Sequence, residues 1–244
     1  MTHRTGCLIC GADIVYLEES RLLSCHICGT TAMVDTRCVN GHHVCAVCHR
    51  ASAFDVIEQY CISARSTDPV SLALKLMEHP SLNMHGPEYH FLVPAVLLAA
   101  YCERQGVSRE ERVAMVGTAR LRSEDVKGGF CGLHGACGAG IGTGIFMSVI
   151  TKATPLSTRE RGLCNRLTAE SLLAIAETGW ARCCKRDSLL AILTAVRFLE
   201  NEFSIHLTSK NDIRCKFSER NRECLGEACR FNPNKPFRPE QAQG

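Results

Sequence analysis

The sequence predicts a mainly α-helical protein: a helical bundle with a small zinc-ribbon-like β region at its N-terminus and a cysteine-containing C-terminal tail. Three observations carry that prediction. Paired cysteines and short β-like runs crowd residues 1–50; apolar residues recur at helical spacing over 51–208; and the segment 209–244 is polar with three further cysteines. At 244 residues, 45% hydrophobic and 22% charged, the chain is long enough for one sizeable core plus a small appendage, and the low aromatic content of 6% makes that core aliphatic. The net charge of +3 selects no class of partner.

In the first region, "ADIVYLEE" and "TAMVDT" alternate as half-exposed strands do. "CLIC" (Cys7, Cys10) and "CHIC" (Cys25, Cys28) are CxxC pairs fourteen residues apart. Each pair can set two thiolates on one ion through a tight turn, so two such turns on facing hairpins predict a four-cysteine zinc site. "CVNGHHVCAVCH" then offers Cys38, one of His42 or His43, Cys45 and Cys48 as a second set, with His49 to spare. An exchange of ligands between the two sets, as in cross-braced fingers, stays open at this point. Either way one or two zinc ions are expected to hold together about fifty residues with too little core to fold alone. Nucleic acid is not an expected partner, because Arg4, Arg21, Arg37 and Arg50 are cancelled by Asp13, Glu18, Glu19 and Asp35.

The helical region is punctuated clearly. "TDPVSLALKLMEHP" has Asp68 as N-cap and Pro69 at the first helical position, and stops at Pro80. "PEYHFLVPAVLLAAYCERQG" ends at Gly106. "SREERVAMVGTARL" opens on the capping box Ser108/Glu111 and "STRERGLCN" on Ser157/Glu160, while "TAESLLAIAETG" closes on Gly179. "DSLLAILTAVRFLENEF" carries Leu189, Ile192, Leu193, Val196 and Leu199 on one stripe. Cys61 and Cys102 read as small buried apolar residues, and His79 and His206 as surface or capping histidines.

The unusual stretch is "KGGFCGLHGACGAGIGTGIFMS". Glycine costs about 1 kcal/mol against alanine in a helix, so something must offset Gly138, Gly140, Gly142 and Gly144. One explanation is a bound group held by Cys131 and Cys137 together with Cys183 or Cys184 of "ARCCKRDS"; the other is a close helix–helix contact with inert thiols. A helix beginning near Cys137 would lower that thiol's pKa through its dipole. Cys164 is a further candidate ligand, and Cys215, Cys224 and Cys229 of the tail need a fourth ligand, available from the core at Cys183 or Cys184 or from a substrate on an open iron. Soft thiolates at long, irregular spacing suit an iron–sulfur cluster of the 4Fe–4S type better than structural zinc. His85, Glu88, His90, His134 and Cys137 are the candidates for proton transfer or catalysis, and Lys185 and Arg186 for an anion.

"HGPEYHFLVPAVLLAAY", "GGFCGLHGACGAGIGTGIFMS", "TPLS", "CNRLT", "ARCCKRDS" and "CKFSERNRECLGEAC" together resemble an uncharacterised cysteine-rich family of anaerobes, methanogenic archaea above all. The resemblance covers nearly the whole chain. It implies anaerobic metabolism and, from fusions among the family's members, a radical-SAM or methyltransferase partner. The order Cys137, Asn165, Cys183–Cys184 is also similar to iron–sulfur serine dehydratase and cysteine desulfidase subunits, although their "CDGAK"-like signature is absent. Three readings follow: a zinc and iron–sulfur protein that carries sulfur, electrons or metal for such a partner; an iron–sulfur lyase or desulfidase; and a zinc-only interaction protein. No secretory leader precedes the cysteines, and the runs 91–101 and 141–150 are too short to span a bilayer. A cytoplasmic chain with reduced thiols is therefore expected over a secreted disulfide protein.

Overall fold

The computed structural model describes residues 7, 9–10, 12–45, 48, 52–210 and 212–234; His49 lies outside them, as do Arg4 and Arg50. Strands β1 (Ile14–Ser24) and β2 (Thr31–Cys38) pair antiparallel, with Ile14 opposite Cys38 and Ser24 opposite Thr31. The register is irregular between Tyr16 and Arg21. Most side chains of both strands are exposed, so the hairpin has almost no core of its own.

Eight helices follow among the described residues: α1 (Ala53–Ser63), α2 (Pro69–Met77), α3 (Glu88–Gln105), α4 (Arg109–Glu124), α5 (Phe130–Leu133), α6 (Gly138–Thr151), α7 (Arg159–Ala176) and α8 (Cys184–Phe203). Their ends follow the local chemistry. Ser52 and Asp55 form a reciprocal capping box on α1. The Asp68 carboxylate accepts from Ser71 N–H ahead of Pro69 on α2, the Ser108 hydroxyl accepts from Glu111 N–H on α4, and α3 stops at Gly106 in the left-handed region. The expected Ser157/Glu160 box does not form. Thr158 is the N-cap of α7, with no side-chain cap bond, while the Ser157 hydroxyl accepts from Thr154 N–H within the preceding turn. A serine that can close its own turn competes with capping.

Helix α3 is the axis of the bundle. It is buried on nearly every side and touches α1, α2, α4, α6 and α8. Pro94 lies inside it and removes one donor, so the His90 carbonyl has no helical partner. Ser123 Oγ, which donates to Ala119 O, also lies 3.3 Å from that carbonyl.

The glycine run is explained by packing. Gly138 and Gly142 are one helical turn apart and face α3: a β-carbon on the first would overlap the His90 ring, and one on the second would meet Pro94 Cδ at 2.9 Å and His90 O at 3.0 Å. Gly140 and Gly144 face α7, against Leu172 and Thr168. The alternation is therefore two stripes of small residues on two faces of α6, one for each neighbour, which lets three helices approach closely in the core. This decides between the two explanations of the run: close helix contact accounts for the four helical glycines.

The tail packs on the bundle up to Asn234. Ile213, Phe217, Cys229 and Phe231 are buried, and Cys215 N–H donates to Phe231 O at 2.8 Å, closing the segment into a loop. Lys216 pairs with Glu78, and His85 Nε2 meets Asn221 Oδ1 and Glu223 Oε2. No helix among the described residues is long and apolar enough to cross a membrane.

Candidate metal centres

The hairpin explains the ligand pairing at the N-terminus. Because Ile14 lies opposite Cys38, the chain just before β1 meets the chain just after β2. That brings Cys7, Cys10, Cys38 and His42 together, with their ligand atoms within 4.8 Å of one another. Beyond His42 the chain turns back: His26 N–H donates to His43 O, and the His26 and His42 rings stack edge-on at 4.7 Å. This lays Cys45 and Cys48 on Cys25 and Cys28, the second group within 4.8 Å. The pairing of "CLIC" with "CHIC" on one ion is thus corrected: strand register, not likeness of motif, chooses the partners, and the sites are cross-braced.

The geometry has a quantitative signature. A tetrahedral ion with bonds of about 2.3 Å to sulfur separates its sulfurs by about 3.8 Å. Cys10 Sγ and Cys38 Sγ lie 3.9 Å apart, and Cys28 Sγ and Cys45 Sγ 3.8 Å. Backbone N–H groups point at the sulfurs of Cys7, Cys38 and Cys25 from Ile9, His42 and Cys45. The Cys10 thiol is lowered to about 6 by the Ala12 N–H and Asn40. At Cys28, burial pushes upward but the Thr30 hydroxyl and N–H outweigh it and bring the thiol to about 6. Cys48 moves up through burial and neighbouring thiols. Each quartet thus mixes readily ionised and reluctant thiols, as expected where a cation must bind before all of them ionise. His42 Nδ1 faces Cys38 and Cys7. His43 does not join it; its Nδ1 lies 3.3 Å from Thr36 O.

In the helical part, the cysteine doublet divides. Cys183 is the N-cap of α8 and faces the tail; with Cys215, Cys224 and Cys229 it lines one cavity. N–H groups point at three of these sulfurs: Arg186 N and Asn221 Nδ2 at Cys183, Phe217 N at Cys215, and Gly226 N at Cys224, all at 3.3–3.5 Å. Among the described residues only the two N-terminal groups gather three or more ligand atoms within 4.8 Å. This set is therefore more widely spaced than a zinc tetrahedron.

The surroundings of that cavity are cationic. Lys185 is 3% exposed, yet its ammonium has no carboxylate partner among the described residues. It donates to Tyr89 OH at 2.5 Å and Met77 O at 3.1 Å, and lies 4.1 Å from the Phe217 ring centroid. Burial and the nearby Arg220 bring it down to about 8. An unpaired buried ammonium costs free energy that a thiolate-bound centre would return. Arg186 pairs with Asp187, both buried.

Cys184 does not line that cavity. Its thiol, Cys137 and the exposed Cys131 feel one another across the N-terminal ends of α6 and α8, together with Asp187. Cys137 is the N-cap of α6, but it is not predisposed to thiolate. Burial, then Asp187, push it up to about 12 against the pull of Ala139 N–H. Desolvation outweighs the helix dipole here. Cys164 stands apart on α7, beside Ser148 and Thr151. His90 packs on Gly138 with Nδ1 on Val126 O, Glu88 accepts from Asn83 N–H, and His134 is exposed against Phe130. His79 is buried, not superficial; Pro80 marks the end of its helix and not the surface, and burial there depends on packing that no local signal shows. All seventeen cysteines are free.

Residues 57–232 match the profile of a family of unknown function, DUF5714. The chain belongs to that family. The match begins in α1 and runs to the end of the tail loop, so all ten cysteines of the helical and tail segments fall inside it and both N-terminal metal groups fall outside. No curated protein and no solved structure matches the chain.

Proposed function

We propose that this protein binds two zinc ions in its cross-braced hairpin and an iron–sulfur cluster at Cys183, Cys215, Cys224 and Cys229, and that it carries electrons or sulfur for a radical or methyl-transfer partner in anaerobic metabolism. The observation that carries the reading is the cavity itself. Four cysteines from two distant stretches of chain line it, set wider than zinc requires, with N–H groups on three sulfurs and the buried, carboxylate-free Lys185 beside them. Four thiolates on a cluster leave net negative charge, and N–H···S contacts with a buried cation are the environment that tunes such a centre. As it stands, the cavity, about 20 Å3, takes one water. A cluster held by these four sulfurs would therefore need the loop 215–231 to stand further from the bundle than it does here.

Anaerobic purification with metal and sulfide analysis tests this. About two zinc, four iron and four sulfide per chain are expected, with a broad visible thiolate-to-iron absorption. Serine at Cys215 or Cys229 should remove iron and colour and leave zinc. A chain with zinc in every site and no sulfide refutes it. The lyase or desulfidase alternative draws on Cys137 and Cys184, at the starts of α6 and α8, and on the exposed Cys131, whose charges influence one another and Asp187; sulfide release from added cysteine, lost in Cys137→Ala, would favour it.

A further inference from the structure

A second cavity, about 880 Å3, opens between the zinc-binding hairpin and the helical domain. That volume falls in the range of small-molecule sites, and the junction of two modules is where such sites form. One wall comes from the hairpin, with His26 and Thr30. The others come from α1, α2 and the tail, and their floor is apolar: Tyr60, Leu72, Leu76 and Phe217.

Charge decides what the cleft accepts. Arg65, Lys75, Lys216 and Arg220 line it against one carboxylate, Glu78. Glu78 is neutralised by Lys216 at 2.6 Å, and Arg65 faces Glu103 at 3.6 Å. Lys75, on α2, and Arg220, in the tail, have no ion pair among the described residues. Two uncompensated cations from separate elements thus stand over one apolar floor. His79 adds a further unused donor. Its Nδ1 accepts from Ser81 N–H at 3.0 Å, which leaves the ring proton on Nε2, and that buried nitrogen has no partner among the described residues.

We propose that this cleft binds a small anion with an apolar body, of the alkyl carboxylate or alkyl phosphate class. Two free cations in a concave site suit one anionic group; they are too few and too enclosed to track a nucleic-acid backbone. Phe217 belongs to the walls of both cavities. A ligand in the cleft would lie one ring away from the Cys183–Cys229 group, and the cleft as described has the tail loop, with Lys216, Phe217 and Arg220, packed on the bundle.

The test uses the zinc-loaded full chain titrated calorimetrically with octanoate, with hexyl phosphate and with uncharged hexanol. Saturable binding of at least one anion is expected at millimolar concentration or below, with hexanol at least about tenfold weaker; the tighter anion names the head group. Lys75→Glu with Arg220→Glu should weaken that anion about tenfold or more, the equivalent of roughly 1.4 kcal/mol, and leave hexanol unchanged. Lys75→Gln alone should weaken it in the same direction, with zinc content and helical circular dichroism unaltered. The chain prepared without iron or sulfide should bind the anion, because the cleft is formed with the tail loop packed as described; this separates the site from the cluster. Absence of saturable binding, equal binding of hexanol, or unchanged anion affinity in both charge variants overturns the proposal.

Discussion

Gly142→Ala tests whether α6 is glycine-rich because its neighbours leave no room. Alanine in place of a helical glycine gains about 1 kcal/mol in propensity. At Gly162 of α7 nothing lies within 4 Å of an added β-carbon, so Gly162→Ala should realise that gain. At Gly142 the same atom would lie 2.9 Å from Pro94 Cδ, 3.0 Å from His90 O and 3.2 Å from Val93 Cβ. Ordinary carbon contacts begin near 3.5 Å, and none of these three atoms can swing aside: one is in a proline ring, one is backbone and one is a β-carbon. Helices α3 and α6 must separate, at an overpacking cost of about 1–3 kcal/mol. Set against the propensity gain, the net is a loss of up to about 2 kcal/mol. Gly140→Ala should fall between the two, because its obstacle at 2.7 Å is Leu172 Cδ2, the end of a flexible side chain. Urea unfolding followed by circular dichroism gives the order Gly162→Ala, Gly140→Ala, Gly142→Ala from most to least stable. If Gly142→Ala stabilises as much as Gly162→Ala, close packing is not why these glycines are there.

Two further outcomes follow from the N-terminal ligand groups and from His79. Cys28→Ser and Cys38→Ser should each lose one zinc and, because the sites are interleaved along the chain, loosen the whole hairpin; binding energy on the order of 10 kcal/mol is at stake per site. Limited proteolysis should then cut ahead of α1, and helical circular dichroism should persist; its loss would show that the bundle depends on the hairpin. Burial holds His79 at about 4 in the folded chain, below its ordinary 6.5. The unfolded chain then binds the extra proton between those values, so stability is full above pH 6.5 and falls as pH drops toward 4, by up to about 3 kcal/mol. The difference between parent and His79→Gln in acid urea titrations isolates this slope; parallel curves would refute it.

The helical architecture was legible because its signals are local. Asp68–Pro69, Ser108 and Gly106 act within one turn of the residues they cap, and α8 shows its apolar stripe directly. The metal-ligand residue types at the N-terminus were equally plain in the CxxC spacing. What the sequence concealed was relational. Strand register set which pair shares an ion with which, and no feature inside "CLIC" or "CHIC" encodes it. The glycine run looked like a device for the cysteines beside it, because the partners that need the space, Pro94 and His90 on α3 and Thr168 and Leu172 on α7, lie far away in sequence. The i, i+4 spacing of 138/142 and 140/144 was the available signal for two faces. Cys137 was misjudged because a dipole is visible from a helix start, whereas the desolvation that opposes it depends on what folds over the thiol.

The doublet "CC" gives the sharpest separation of the two groups in the helical part. Adjacent residues at a helix start differ by about 100° in direction, and here the N-cap Cys183 points to the tail while Cys184, the first helical residue, does not line that cavity and has Cys137 and Cys131 within electrostatic range. Cys183 is buried and Cys184 half-buried, and burial pushes both thiols up, Cys183 to about 11. Ordinary thiol reactivity would therefore hardly distinguish them, but a centre at the tail cysteines would. Cys183→Ser removes a cavity-lining sulfur that holds Arg186 N–H and Asn221 Nδ2, so iron, sulfide and visible absorption should fall together. Cys184→Ser should leave all three in place. Loss of the chromophore in Cys184→Ser with retention in Cys183→Ser would move the centre to the glycine-flanked cysteines and refute the assignment; loss in both would make the doublet a shared wall of one larger site.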